Sequence, residues 1–131
     1  MPFLRLLTAA LLMTIVAGCV ATTESVELTP EEGQTLLKEE AGAVIIDVRS
    51  PIEFRGLHLE GAININVMGS DFEAQVAELD RQVVYLVYCR SGARSGNAVE
   101  QMRAMGFERA YNIGGIDELQ ESGYPVTTEE D

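Results

Sequence analysis

Basic residues are scarce in this 131-residue chain: nine Lys and Arg stand against 21 Asp and Glu, for a formal net charge of −12. That deficit excludes a sequence-independent nucleic-acid binder, which needs a basic face to displace counterions from phosphates. Two Cys are too few for a disulfide scaffold, and with a single His they are too few for a zinc site. No metal or cofactor is expected. The length leaves no room for two independent cores. Hydrophobic residues, in contrast, make up 47% of the chain, which excludes disorder, since disordered chains pair high net charge with low hydrophobicity.

Those hydrophobic residues crowd the N-terminus, where 13 of the first 18 positions are apolar. Arg5 precedes an uncharged run from Leu6 to Ala17. The run falls short of the roughly 20 apolar residues that span a bilayer and has the proportions of a signal-peptide core. It ends in Val16-Ala17-Gly18-Cys19, which resembles a bacterial lipobox. The resemblance implies a signal peptide over 1–18 and lipidation of Cys19. It also implies attachment to a membrane on the periplasmic side of the envelope, and Val20 after Cys19 favours the outer membrane by analogy with enterobacterial sorting. The plainer alternative is an ordinary secretory signal cut elsewhere. Residues 19–25 then read as a tether, 26–127 as the domain and 128–131 as an acidic, frayed tail.

Within the domain, Thr29-Pro30-Glu31-Glu32 combines a helix cap, a proline suited to the first helical position and a glutamate that closes a capping box. The helix is expected to reach about Glu40, with Gly42 ending it. Ala43–Ile46, Ala62–Ile65, Val83–Tyr88 and Ala110–Ile113 read as strands. Between and after them lie a helical turn over Ser50–Phe54 and helices over Asp71–Leu79, after the Cys89 loop (with Ala98, Val99, Met102 and Met105 inward), and over Ile116–Ser122. Connections too long for hairpins make this an α/β domain around a central, mainly parallel sheet.

Function in an open α/β sheet is expected beyond the carboxyl ends of the strands. Cys89 follows the strongest strand signal and opens the run Cys89-Arg90-Ser91-Gly92-Ala93-Arg94-Ser95, which feeds a helix. Backbone N–H groups in such a loop, the helix N-terminus and two arginines all favour thiolate over thiol, so Cys89 is expected to be a nucleophile. Ser95 is expected to cap the outgoing helix. A packed structural cysteine has no use for a polar, flexible loop of this kind.

Four stretches taken together resemble a rhodanese homology domain: Asp47-Val48-Arg49-Ser50-Pro51-Ile52-Glu53-Phe54, His58-Leu59-Glu60-Gly61-Ala62-Ile63-Asn64, the Cys89–Arg94 loop, and Gly114-Gly115-Ile116 with Gly123-Tyr124-Pro125-Val126. The resemblance covers 26–126. It implies a sheet flanked by helices on both faces and a Cys89 that carries a persulfide during sulfur transfer from a small anionic donor to a thiol or cyanide acceptor. Arg90, Ser91, Gly92, Ala93 and Arg94 would line the substrate site, with Arg94 the first choice for the donor's sulfonate and Arg90 the second. Counted to Arg94 the loop has the six residues that accompany sulfur transfer in the family. Counted to Ser95 it has the seven used by phosphatase and arsenate-reductase relatives, so both readings stay open beside a third, a non-catalytic module that carries a persulfide. Gly56 and Leu57 before His58, and Leu119 where the family often has Trp, depart from the pattern.

The remaining polar residues take plainer roles. His58 is expected to satisfy local backbone groups rather than serve Cys89 as a base. Asp47 ends a strand expected beside the loop, where it orients the loop or, more simply, caps. Arg49 and Glu53, four apart, read as an ion pair, and the acidic stretch from Glu24 to Glu40 as a solvated face. The sequence leaves the oligomeric state open.

Overall fold

The capping box forms as the residues dictate. Thr29 Oγ1 accepts the Glu32 N–H at 3.2 Å, the Glu32 carboxylate accepts the Thr29 N–H at 2.8 Å, and helix α1 runs Pro30–Glu39. The computed structural model describes Gly18 and residues 26–129. After α1 come β1 (Val44–Asp47), α2 (Pro51–Gly56), β2 (His58–Leu59), β3 (Ile63–Asn64), α3 (Phe72–Ala77), β4 (Tyr85–Cys89), α4 (Ala93–Ala104), β5 (Ala110–Gly115), α5 (Ile116–Glu121) and β6 (Val126–Thr127).

The main sheet has the order β3-β1-β4-β5, and every pairing in it is parallel. Strand β4 lies between two neighbours and all five of its residues are buried, which is why its sequence reads as an unbroken apolar run. Its side chains divide between two cores. Tyr85, Val87 and Cys89 join Phe72 and Val76 of α3 and Ala98, Val99 and Met102 of α4. Leu86 and Tyr88 join Ile116 and Leu119 of α5, with Leu36 and Leu37 of α1 packed against them. Helices therefore cover both faces, and each fully buried Leu or Val adds roughly 1.5–3 kcal/mol of burial free energy.

Several elements differ from the sequence reading. Cys89 is the last residue of β4 rather than the first beyond it, and β5 runs on through Gly114-Gly115 instead of stopping at Ile113. Helix α1 stops before Gly42, whose φ is not positive; the helix is closed instead by the Glu40 N–H on Leu36 O. A small antiparallel pair, β2 with β6, was not legible because two-residue strands show no periodicity. In the tail, the Glu129 N–H donates to Arg55 O at 3.2 Å, so the chain is held at that point.

The acidic stretch also has more structure than a solvated face. Glu27 bridges to Asn112 alongside β5, and Glu40 pairs with Arg109 at 2.6 Å. No helix among the described residues is long and apolar enough to cross a membrane. Cys19, with the signal-peptide and tether readings, falls outside the described residues except for Gly18.

Candidate active site

Strand β4 delivers Cys89 to the carboxyl edge of the sheet, and three residues later Gly92 caps the twelve-residue helix α4. Gly92 has φ +93°, a left-handed conformation that disfavours any side chain, and it turns the chain so that its own N–H donates to Cys89 Sγ at 3.0 Å. The Ser95 hydroxyl lies 3.3 Å from the same sulfur. Burial of the sulfur opposes the thiolate. The Ser95 hydroxyl and the N–H groups of Ser95, Ser91 and Gly92 outweigh that cost, and the thiol is held below its ordinary 9.0. The N-terminus of α4 adds positive potential at the same point. Cys89 itself is 0% exposed.

Gly115 lets β5 approach this loop. A Cβ built there would stand 2.4 Å from the Arg90 carbonyl oxygen and 3.2 Å from Ser91 Cα. The second glycine of the pair is thus required by contact, since its own φ of −104° suits any residue.

The candidate residues separate on inspection. Arg90, Ser91 and Gly92 form the connection itself, while Ala93, Arg94 and Ser95 are the first turn of α4. Ser95 therefore does not cap the helix; from inside that turn its hydroxyl faces Cys89 Sγ and Asn112 Oδ1, and Gly92 holds the cap position. Arg94 is bound to Glu53 through two hydrogen bonds at 3.3 and 3.0 Å. Arg90 is exposed, forms no ion pair among the described residues, and borders a pocket of about 280 Å³ with Arg49, Glu53, Leu57, Ile116 and Asp117. Of the two loop arginines, Arg94 is thus committed to Glu53 and Arg90 is not, among the described residues.

Arg49 and Glu53 do not pair. Arg49 precedes α2, so the four-residue helical spacing does not apply to it, and it folds back on Asp47 at 2.6 Å with both side chains buried. Asp47 accepts from the Arg49 N–H at 2.9 Å and from the Tyr88 hydroxyl at 2.6 Å, which combines a local capping role with an ion pair. It reaches the loop only through Tyr88, the residue before Cys89. The Tyr88 hydroxyl in turn accepts the Leu59 N–H at 3.0 Å. Burial, then the Asp47 carboxylate, push the Tyr88 phenol far above its usual range. His58 shares a 2.7 Å hydrogen bond between Nδ1 and Phe54 O and stacks on the Phe54 ring at 3.8 Å, which accounts for it without catalysis.

One buried residue had no signal in the sequence beyond its place in a strand. Asn112 is 3% exposed, and its side chain connects Gly92, Ser95, Gly114 and Glu27. Among the described residues no group of His, Cys, Asp and Glu is arranged to hold a metal ion.

Fold and site together define a class: parallel α/β proteins with one cysteine at the carboxyl edge of the sheet, its sulfur met by N–H and O–H donors at a helix N-terminus. The family profile described as rhodanese-like domain matches residues 29–122. A thiosulfate sulfurtransferase GlpE of Pseudomonas fluorescens is 34% identical over 101 residues, spanning 77% of this chain and 89% of that protein. An uncharacterized protein of Synechocystis, slr1261, is 31% identical over 107 residues, 81% of this chain, which spans only 58% of its length. Among solved structures, a rhodanese-related protein from Thermoplasma volcanium superposes with a TM-score of 0.67 at 30% identity, covering 79% of this chain and 98% of that one. The chain belongs to the rhodanese-like domain family.

Proposed function

We propose that the chain is a sulfurtransferase that moves sulfane sulfur from an anionic donor such as thiosulfate to a thiol or cyanide acceptor through a persulfide on Cys89. The observation that carries this reading is the stabilised sulfur: Gly92 N–H at 3.0 Å and the Ser95 hydroxyl at 3.3 Å, at the N-terminus of α4. The name of the Pseudomonas relative supports the same donor class.

In the first displacement the Cys89 thiolate attacks the outer sulfur of thiosulfate. A new S–S bond forms, the donor's S–S bond breaks, and sulfite leaves with the electron pair. In the second, a thiolate or cyanide attacks the outer sulfur of the persulfide and Cys89 departs as thiolate, so no external oxidant or reductant is needed. Dividing the transfer through a covalent intermediate is the usual gain of nucleophilic catalysis. The loop N–H groups hold charge at Sγ in both steps, and Arg90 supplies a guanidinium for the donor's sulfonate oxygens.

Intact mass after incubation with thiosulfate tests the reading. One added sulfur is expected on the wild-type chain and none on Cys89→Ser; an unmodified wild type, or equal addition to the variant, refutes it. The enclosure of Sγ favours a second reading, a domain that carries the persulfide for a partner. Stable loading with very slow thiocyanate production supports that alternative, whereas hydrolysis of an aryl phosphate points to the phosphatase-like one. The lipobox resemblance supports a lipid anchor at Cys19 on the periplasmic side of the envelope, and a lipid-sized mass increment lost in Cys19→Ser checks it.

A further inference from the structure

Asn112 presents two N–H donors and two lone pairs, and all four directions are used. Nδ2 donates to Gly92 O at 3.0 Å and to the Glu27 carboxylate at 3.1 and 3.2 Å. Oδ1 accepts from the Gly114 N–H at 3.0 Å and from the Ser95 hydroxyl at 2.8 Å. These partners fix the orientation of the amide. Turned over, its oxygen would face the Gly92 carbonyl and the Glu27 carboxylate, and its N–H groups would face the Gly114 N–H. The backbone is equally held: the Asn112 N–H donates to Val26 O at 2.8 Å and its carbonyl accepts the Leu28 N–H at 2.9 Å.

Two of the four partners are the groups that stabilise Cys89. Gly92 carries the N–H that donates to Sγ, and Ser95 carries the hydroxyl. That hydroxyl has one proton and two acceptors, Asn112 Oδ1 at 2.8 Å and Cys89 Sγ at 3.3 Å. It can donate to only one of them at a time, so the support Asn112 gives the thiolate runs through Gly92, whose carbonyl it holds while the Gly92 N–H donates to sulfur.

We propose that Asn112 is a positioning residue for Cys89: it holds Gly92 where its N–H donates to the thiolate, and it couples that placement to the Glu27 edge segment. This rests on the reading of Cys89 as the nucleophile. The charged groups around the loop are Arg90, Arg94 and its partner Glu53, Glu27, and Glu118 beside Gly114. Asn112→Ala leaves all of them in place, so a change in that variant reports placement rather than charge.

The test is the pH titration of the Cys89 thiolate by ultraviolet absorbance in the full chain, with Cys89→Ser as blank and thermal melting recorded in parallel. Asn112→Ala and the isosteric Asn112→Asp should each titrate at higher pH and lose on the order of tenfold in alkylation rate at neutral pH. A folded Asn112→Ala or Asn112→Asp that titrates like wild type overturns the proposal. The titration needs no sulfur donor. A wild type that takes no sulfur from thiosulfate therefore refutes the sulfurtransferase reading while leaving this result interpretable.

Discussion

Gly115→Ala is a minimal change that drives the sheet against the Cys89 loop. Position 115 has φ −104° and ψ 150°, so alanine incurs no backbone strain. The new methyl would meet the Arg90 carbonyl oxygen at 2.4 Å, its carbon at 3.0 Å and Ser91 Cα at 3.2 Å, and Cβ contacts under 3.0 Å essentially never occur. The obstacles are backbone atoms, so no side chain can rotate away. Strand and loop must separate by at least the 0.6 Å between 2.4 and 3.0 Å. Overpacking of this kind costs about 1–3 kcal/mol, and the loss of glycine at the α5 cap position adds up to about 1 kcal/mol. Thermal unfolding of the full chain should fall by roughly 5–20 °C. A shift of the loop also stretches the 3.0 Å bond from Gly92 to Sγ, and a misplacement approaching 1 Å costs on the order of 100-fold in rate, so thiocyanate production should drop at least about tenfold. Gly56→Ala is the control, because nothing lies within 4 Å of a Cβ there; its melting should stay within roughly 0.5–1 kcal/mol of wild type. Gly115→Ala with unaltered melting and turnover would refute the claim that this contact sets the loop.

Three further outcomes follow from the same geometry. Tyr88→Phe leaves the buried Leu59 N–H without its acceptor and removes one donor from Asp47, so urea unfolding should show a loss of about 2–4 kcal/mol; a loss below about 1 kcal/mol contradicts the network. Arg90→Ala should raise KM for thiosulfate on the order of tenfold and Arg94→Ala by much less, since Glu53 already holds Arg94; the reverse order in steady-state kinetics restores the sequence ranking. The folded state favours the Cys89 thiolate, so the unfolded chain binds more protons at this group. The stability it contributes is present above 9.0 and lost as pH falls through the lower folded value. Urea unfolding should therefore show the wild type gaining on Cys89→Ser as pH rises toward about 9, and a difference that stays flat with pH refutes the lowered value.

The legible parts of the molecule share a cause: each signal lies within a few consecutive residues. The capping box, the apolar run of β4 and the cysteine followed by arginines and glycine are local patterns with local physics. The missed parts are pairings between distant segments. Arg94 and Glu53 are 41 residues apart, and only the fold brings the Glu53 carboxylate of α2 to the first turn of α4. Asn112 reads as one polar residue in a short strand, since Glu27 lies 85 positions upstream and Gly92 lies 20 upstream. The reading of Arg49 with Glu53 failed for a related reason: a helical spacing was applied to a residue that stands outside the helix.

The enclosure of Cys89 has a kinetic consequence. A sulfur with no open surface reacts only while the loop stands aside, so its observed reactivity is a product of two equilibria, ionisation and opening. Bulky and compact reagents of equal electrophilicity should then differ in rate because they demand different amplitudes of opening. The protein can thus hold its sulfur biased toward thiolate yet shielded from casual encounter, with the frequency of loop excursions setting how often that sulfur is offered.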